Sequence, residues 1–362
     1  MRPDGDQSNS QSATEDTAGQ SRSASWQSRW RVLWQGSLSR LRTAVHGIQM
    51  RWRLTLGIVA TVVALLLVLA LWWSREPELV DVRAAAAERM DADDQALPAG
   101  FATAVAVEET ARGLLHKRGG YLRHSRLPPA LFMDNMPNWE LGVVWHLREW
   151  SELLRRDISR ADRRATEDPD LVIVEPQFYF DTDRWLLPST VSEYRRGLRH
   201  LSAYVDRLQA GEAEFHVRSE DLARWLAAVD DRLDQLQQQL VYSVATRAYD
   251  PPEFLAIEAP QDNTPRLQID DVIFQTRGYS WALLHSLQGV QEDYAAVLGD
   301  DPATVAAMEQ ALLELVALQR PLWAPWVMNG SGYGVRPNHA LVSAAHLGRA
   351  RNALLTLAAG LD

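Results

Sequence analysis

The chain has 362 residues, 46% hydrophobic and 23% charged, with a formal net charge of −10. That balance describes a folded protein and excludes a disordered or collagen-like one. The absence of Cys excludes a disulfide framework, a thiol nucleophile, a thiolate zinc site and a cysteine-held iron–sulfur cluster.

The charge is unevenly divided. Residues 1–53 hold eight Arg against four acids, while the rest of the chain holds 29 basic and 43 acidic side chains. A body of that sign repels polyphosphate, so nucleic acid is not an expected partner. Residues 1–25 are Ser, Gln, Asp, Thr and Gly with almost no apolar side chain, a composition that predicts a disordered tail. From 26 to 53 the pattern changes. Trp26, Trp30, Leu33, Leu41, Val45 and Ile48 recur at helical spacing with Arg on the complementary face, which predicts a basic amphipathic helix on an anionic membrane surface; docking on another protein is the alternative.

Residues 54–73, LTLGIVATVVALLLVLALWW, carry no charge. Twenty residues rise about 30 Å, the thickness of a bilayer's hydrocarbon core, which predicts a transmembrane helix. Trp52 precedes it and Trp72 and Trp73 close it; with Trp26 and Trp30 they are the expected interfacial aromatics, and Arg51 and Arg53 the expected headgroup contacts. A cleavable signal would need a short leader and small residues where Trp72 and Trp73 stand. Seven Arg and no acid occupy residues 22–53. The positive-inside rule therefore predicts a cytoplasmic N-terminus and residues 74–362 in the periplasm, with the bacterial inner membrane as the location.

Residues 77–362 read as mainly α: about eight helices in an antiparallel bundle-like body with at most a small β hairpin. The predicted spans are 79–95, 98–118, 138–166, 190–210, 219–247, 268–297, 302–319 and 338–360. Thr190 to Glu193 reads T-x-x-E, a capping box, with Gly211 as the stop; Asp301-Pro302 and Asn338 open later helices. The strand candidate is Leu171 to Phe180, paired with Asp181 to Leu187, although Pro176 demotes it to an edge. A Pro-rich stretch at 249–265 is the best internal boundary.

Two loops could carry chemistry. The first, Gly119 to Glu140, holds Asp134 and Glu140 with Tyr121, Asn135 and Trp139, the last three being expected at a ligand or partner surface. Two carboxylates beside amides and an indole face are what a glycan-cleaving site needs; Glu149 is a third candidate acid. The plainer expectation is that Gly119 and Gly120 stop a helix and that Asp134 or Asn138 caps the next. The second loop, Pro321 to Pro337, offers Trp323, Trp326 and Tyr333 among glycines. It suits an apolar ligand or a partner surface, and lacks the Lys-Ser/Thr that a phosphate-cradling loop requires. His146 and Glu149 stand at i, i+3, but no other helix supplies the second E-x-x-H that a di-iron bundle uses. No metal and no cofactor is expected, and G-x-S-x-G is absent.

The runs GGYL at Gly119 to Leu122, DNMPNWELGVV at Asp134 to Val144, EYRRGLRHLSAY at Glu193 to Tyr204 and DLARWLAAVDDRL at Asp221 to Leu233 resemble the bacterial family DUF2333. The resemblance implies a single N-terminal anchor and a helical body, and brings no catalytic residues with it. The functional expectation is a non-enzymatic envelope scaffold or regulator, with the lipid bilayer and envelope proteins or cell wall as partners. The alternatives are an anchored cell-wall hydrolase and a module for lipid or another apolar ligand.

Overall fold

The computed structural model describes residues 50–90, 97–162, 164–248, 268–299, 301–322, 327 and 337–361, with backbone alone at 243–248. Backbone contacts divide the chain into Met1–Val68 and Leu69–Asp362. The expected disordered tail, the amphipathic helix up to residue 49 and the Pro-rich stretch 249–265 lie outside the described residues. So do Trp26, Trp30, Trp323, Trp326 and Tyr333.

The first helix, α1 (Met50–Trp73), is 24 residues long, and no residue of its most apolar 18-residue window is buried. Leu54, Leu56, Ile58, Leu65, Leu67 and Leu71 are all exposed. Arg51, Trp52 and Arg53 are exposed at its start. It is long and apolar enough to cross a membrane.

Among the described residues of the second unit the regular elements are all helices, and no strand occurs. In chain order the helices are α2 (Val82–Arg89), α3 (Phe101–His116), α4 (Asn135–Leu153), α5 (Leu171–Phe178), α6 (Thr190–Gln209), α7 (Ser219–Ala248), α8 (Ile269–Asp293), α9 (Ala295–Leu298), α10 (Pro302–Leu318) and α11 (His339–Ala359). A short 3-10 turn (Ala130–Phe132) precedes α4 and a π turn (Leu154–Ile158) closes it.

The organising element is α8. Every residue from Thr276 to Leu287 is buried, as befits a helix enclosed on all sides. Helices α3 and α4 pack on one flank, backed by α5 and α6; α7, α10 and α11 pack together on the other. α4 approaches α8 through glycine. A Cβ on Gly278 would stand 1.9 Å from the Trp139 carbonyl oxygen, and one on Gly142 would stand 2.1 Å from that of Gln275. Large side chains fill the space around this contact: Trp139 on α4 packs at a tilt against Trp281 on α8 with ring centroids 5.2 Å apart, and Trp150 on α4 meets Trp225 on α7 at 4.8 Å.

Local chemistry explains the helix ends. Asp301 accepts from the Thr304 N–H and Asn338 from the Leu341 N–H, as expected of N-caps. The cap of α6 is one residue earlier than the sequence suggests. Ser189 accepts from the Ser192 N–H, while the Thr190 hydroxyl donates to the Asp181 carbonyl at 2.7 Å. Gly211 follows α6 with φ +72°, the left-handed conformation that favours glycine.

The strand expected at Leu171 to Phe180 is instead α5. Asp168 holds its start, accepting from the Asp170 and Leu171 N–H groups at 3.0 and 3.3 Å. Leu171, Val174 and Phe178 form its buried stripe. This helical packing overrides the β propensity of the Val-Ile-Val run, and Pro176 costs the short helix only one backbone bond.

Candidate functional site

A helix buried on all sides gains little from polar residues unless each has a partner. α8 nevertheless carries Arg277, Tyr279, His285 and Ser286 in its buried centre. Their partners define two constellations.

The first grips the segment that follows α1. The Arg277 guanidinium forms a two-pronged pair with Glu76, Nε to Oε1 at 2.7 Å and Nη2 to Oε2 at 2.6 Å. Its remaining donors reach the carbonyls of Leu318, Gln319 and Arg320 at 2.5, 3.3 and 2.9 Å. One side chain thus satisfies the orphan carbonyls at the end of α10 and a carboxylate three residues beyond α1. Farther along, the Val80 N–H donates to His285 Nε2 at 2.9 Å and the Val82 N–H to Gln288 Oε1 at 3.1 Å. Residues 76–82 are a strap bound to α8 at three points. Beside it lies a cavity of about 560 Å³ walled by Leu79, Phe274, Trp281, Gln319 and Leu322. Arg277→Ala should cost about 3–5 kcal/mol in chemical unfolding of the detergent-solubilised chain, because it strands Glu76 and three carbonyls. Arg277→Lys, a single ammonium in place of a fork, should recover only part.

His285 accepts at Nε2, so its ring must be neutral with the proton on Nδ1. Burial lowers its pKa to about 4. His146 on α4 is also held neutral, at about 3, first by burial and then by the nearby His285. Both contributions to stability are complete above the ordinary value of about 6.5 and are lost as pH falls toward 4 and 3. Asp293 acts in the opposite sense: burial raises it to about 6, so it favours the fold as pH falls through 6. His285→Gln leaves Asp293 and His146 in place. Between pH 7 and 4.5 that variant should lose about 2 kcal/mol less stability than the parent chain, measured by urea unfolding.

The second constellation faces α4. His146 Nε2 lies 2.8 Å from Ser286 Oγ, Tyr279 OH donates to Glu149 Oε2 at 2.7 Å, and Arg232 Nε donates to Glu149 Oε1 at 3.1 Å. His146 Nδ1 is 4.0 Å from Glu149 Oε2. Ser286, His146 and Glu149 follow one another as in a hydroxyl–imidazole–carboxylate triad, but 4.0 Å is too long for a hydrogen bond. His146 and Ser286 are closed to solvent at 0% exposure. A nucleophile needs a reacting atom about 3 Å away, and a serine at 0% exposure offers a dissolved substrate no direct access. Burial raises the Glu149 carboxyl, against the hydrogen bonds from Tyr279 and Arg232.

The carboxylates of the Gly119 to Glu140 loop have separate fates. Glu140 is fully buried; its Oε1 receives Lys117 Nζ at 2.6 Å and the Leu122 N–H at 2.7 Å, and its Oε2 receives the Arg123 N–H at 2.8 Å. Burial raises its carboxyl against the pull of Lys117 and the two N–H donors. Asp134 is exposed and caps α4, accepting from the Asn135 N–H at 2.9 Å. Asn138 also joins helices, donating to Asp271 at 2.5 Å and accepting from Gln275 at 2.9 Å. Glu140 and Glu149 are nine residues apart on one helix, about 13 Å along its axis. The three acids do not converge.

Tyr121 and Trp139, expected at a ligand or partner surface, lie in the core at 4% and 0% exposure. The Tyr121 hydroxyl donates to the Thr182 carbonyl at 2.8 Å, and the Trp139 ring is consumed by packing on Trp281. Asn135 is half-buried in the first turn of α4. Trp72 is exposed, whereas Trp73 turns onto the body, its ring 2.8 Å from the Cβ that Gly119 lacks. Gly119 also has φ +81°, so a side chain there is disfavoured twice over. Among the described residues, no group of three or more His, Cys, Asp or Glu side chains is placed to hold a metal ion.

Neither the strap nor the polar centre of α8 is among the sequence expectations, and only the polar centre has a signal there: from Gly278 to Gln291 no residue is charged, yet the run is studded with Tyr, Ser, His and Gln.

Fold and site together define a mainly helical protein: one apolar N-terminal helix long enough to cross a membrane, followed by a helical body strapped to its own central helix. The chain belongs to the family DUF2333, described as an uncharacterized protein conserved in bacteria, whose pattern matches residues 46–361. Neither the curated proteins nor the solved structures provide a match.

Proposed function

We propose that this chain is a single-pass protein of the bacterial inner membrane, with its N-terminus in the cytoplasm and residues 74–362 in the periplasm. Its helical body serves there as a non-enzymatic scaffold or regulator of envelope components. The observation that carries this is α1: leucine, valine and isoleucine on every face, left unburied while the other long helices each bury a stripe. In water that surface would drive association; in lipid it is at home. The arginine-rich flank before residue 54 supports the orientation.

The scaffold reading is favoured over the hydrolase reading by what the three acids do. Glu140 neutralises a buried lysine, Glu149 binds Tyr279 and Arg232, and Asp134 caps a helix. Each role is structural and complete. Cell-wall digestion and crosslinking test the proposal together. The purified full chain should release no soluble fragments from isolated cell wall, and crosslinking in intact cells should return the same envelope proteins in repeated pull-downs. Release of wall fragments that is lost in Glu149→Gln, with the fold intact, would overturn the scaffold reading.

A further inference from the structure

Two loops of the body expose large apolar side chains. In the first, Leu127, Leu131 and Phe132 are 64%, 49% and 80% exposed; in the second, Trp185, Leu186 and Leu187 are 51%, 68% and 85% exposed. These loops are joined. Tyr121 OH donates to the Thr182 carbonyl at 2.8 Å, Arg123 Nε to Thr182 Oγ1 at 3.3 Å, and Arg126 pairs with Asp183 at 3.7 Å. The six side chains therefore belong to neighbouring loops at one end of the bundle, where α3 ends and α4 and α6 begin. Soluble surfaces rarely gather apolar residues in this way without a partner.

Two observations identify the partner. The first loop starts at Gly119, which packs on the ring of Trp73, the last residue of α1. The patch therefore begins where the chain leaves its apolar helix. The second is charge. Residues 118–134 and 180–196 contain six Arg and four acids, in a body that is acidic overall. Of the six, Arg118, Arg195 and Arg196 are exposed and make no ion pair among the described residues.

We propose that the 127–132 and 185–187 loops are a second membrane contact. Their apolar side chains enter the interface of an anionic phospholipid leaflet while the neighbouring arginines face its phosphates. This rests on the reading of α1 as a membrane anchor and extends it: the body lies against the bilayer surface instead of hanging free on its tether.

The chain's lack of cysteine permits a direct test. Phe132→Cys, Leu186→Cys, Leu65→Cys and Glu212→Cys, each in the full chain, are labelled with an environment-sensitive fluorophore and reconstituted into vesicles of phosphatidylglycerol and phosphatidylethanolamine. Glu212 is exposed at the far end of α6, about 30 Å from the patch. Spin-labelled lipid should quench the probes at 132 and 186 roughly twofold or more and leave the one at 212 unchanged. Probes at 132 and 186 that are open to aqueous iodide and untouched by spin-labelled lipid would overturn the proposal. Shielding from iodide without quenching by lipid would also overturn it, in favour of a protein-covered surface. The probe at 65 separates the two claims: quenched there but not at 132 and 186, the anchor stands and the second contact fails; quenched at 132 and 186 but not at 65, the contact stands and the anchor fails.

Discussion

Gly278→Ala should destabilise the body by about 3 kcal/mol or more. The added Cβ would stand 1.9 Å from the Trp139 carbonyl oxygen and 2.8 Å from its carbonyl carbon. Both are backbone atoms of a packed helix, so no rotamer change relieves the clash, and α4 must move off α8. That movement would part Trp139 from Trp281 and loosen the hydrogen bonds that Asn138 donates to Asp271 and accepts from Gln275. Gly348→Ala is the matched control. Its nearest neighbour, at 2.5 Å, is the amide end of Gln237, a flexible side chain able to swing aside. Chemical unfolding of the two variants should differ by at least about 2 kcal/mol; equal stabilities would mean that the α4–α8 contact is looser than described.

Glu140→Ala is expected to cost about 3–5 kcal/mol, for a different reason. Lys117 and Glu140 have side-chain exposures of 1% and 0%. Removing the carboxylate leaves an ammonium in the core and frees the Leu122 and Arg123 N–H groups. Glu140→Gln should be nearly as damaging, because an amide keeps an acceptor for the N–H groups and fails to neutralise the lysine. Adding Lys117→Met to Glu140→Gln should restore about 2 kcal/mol, since the uncompensated charge is then gone. A catalytic glutamate gives the opposite pattern, in which the glutamine variant folds normally and only turnover is lost. Unfolding curves of the three variants decide between these roles. A Glu140→Gln chain as stable as its parent would remove the structural account of this residue.

The helical body was largely legible because single-stripe periodicity and chemical caps act locally. The predicted span 302–319 became α10 (Pro302–Leu318), and 338–360 became α11 (His339–Ala359). Legibility failed where long-range contacts decide. At 171–178 the residues favour a strand by propensity, while the 0, 3, 7 spacing of Leu171, Val174 and Phe178 favours a helix, and packing chose the second. The span 138–166 was too long because the π turn at Leu154–Ile158 ends the helix, and nothing in the apolar stripe marks it.

The site was less legible still. Glu140 and Lys117 are 23 positions apart, and their pairing depends on α3 and α4 folding back on each other. Lys117 is nevertheless the chain's single lysine, set just after a helix and before two glycines. A compact ammonium suits a pocket closed by one carboxylate and the Gly120 carbonyl, to which it donates at 2.6 Å. The strap was invisible in sequence, since Glu76 and Arg277 stand 201 positions apart.

The account as a whole depends on lipid surrounding α1 and on the body lying beyond the membrane. Paired reporters after residue 361 address both in one experiment: alkaline phosphatase, active only in the periplasm, and green fluorescent protein, fluorescent when folded in the cytoplasm. Phosphatase activity with a dark fluorescent fusion, both in the membrane fraction, is the predicted result. A bright fluorescent fusion with inactive phosphatase, or a full-length chain in the soluble fraction, would contradict it.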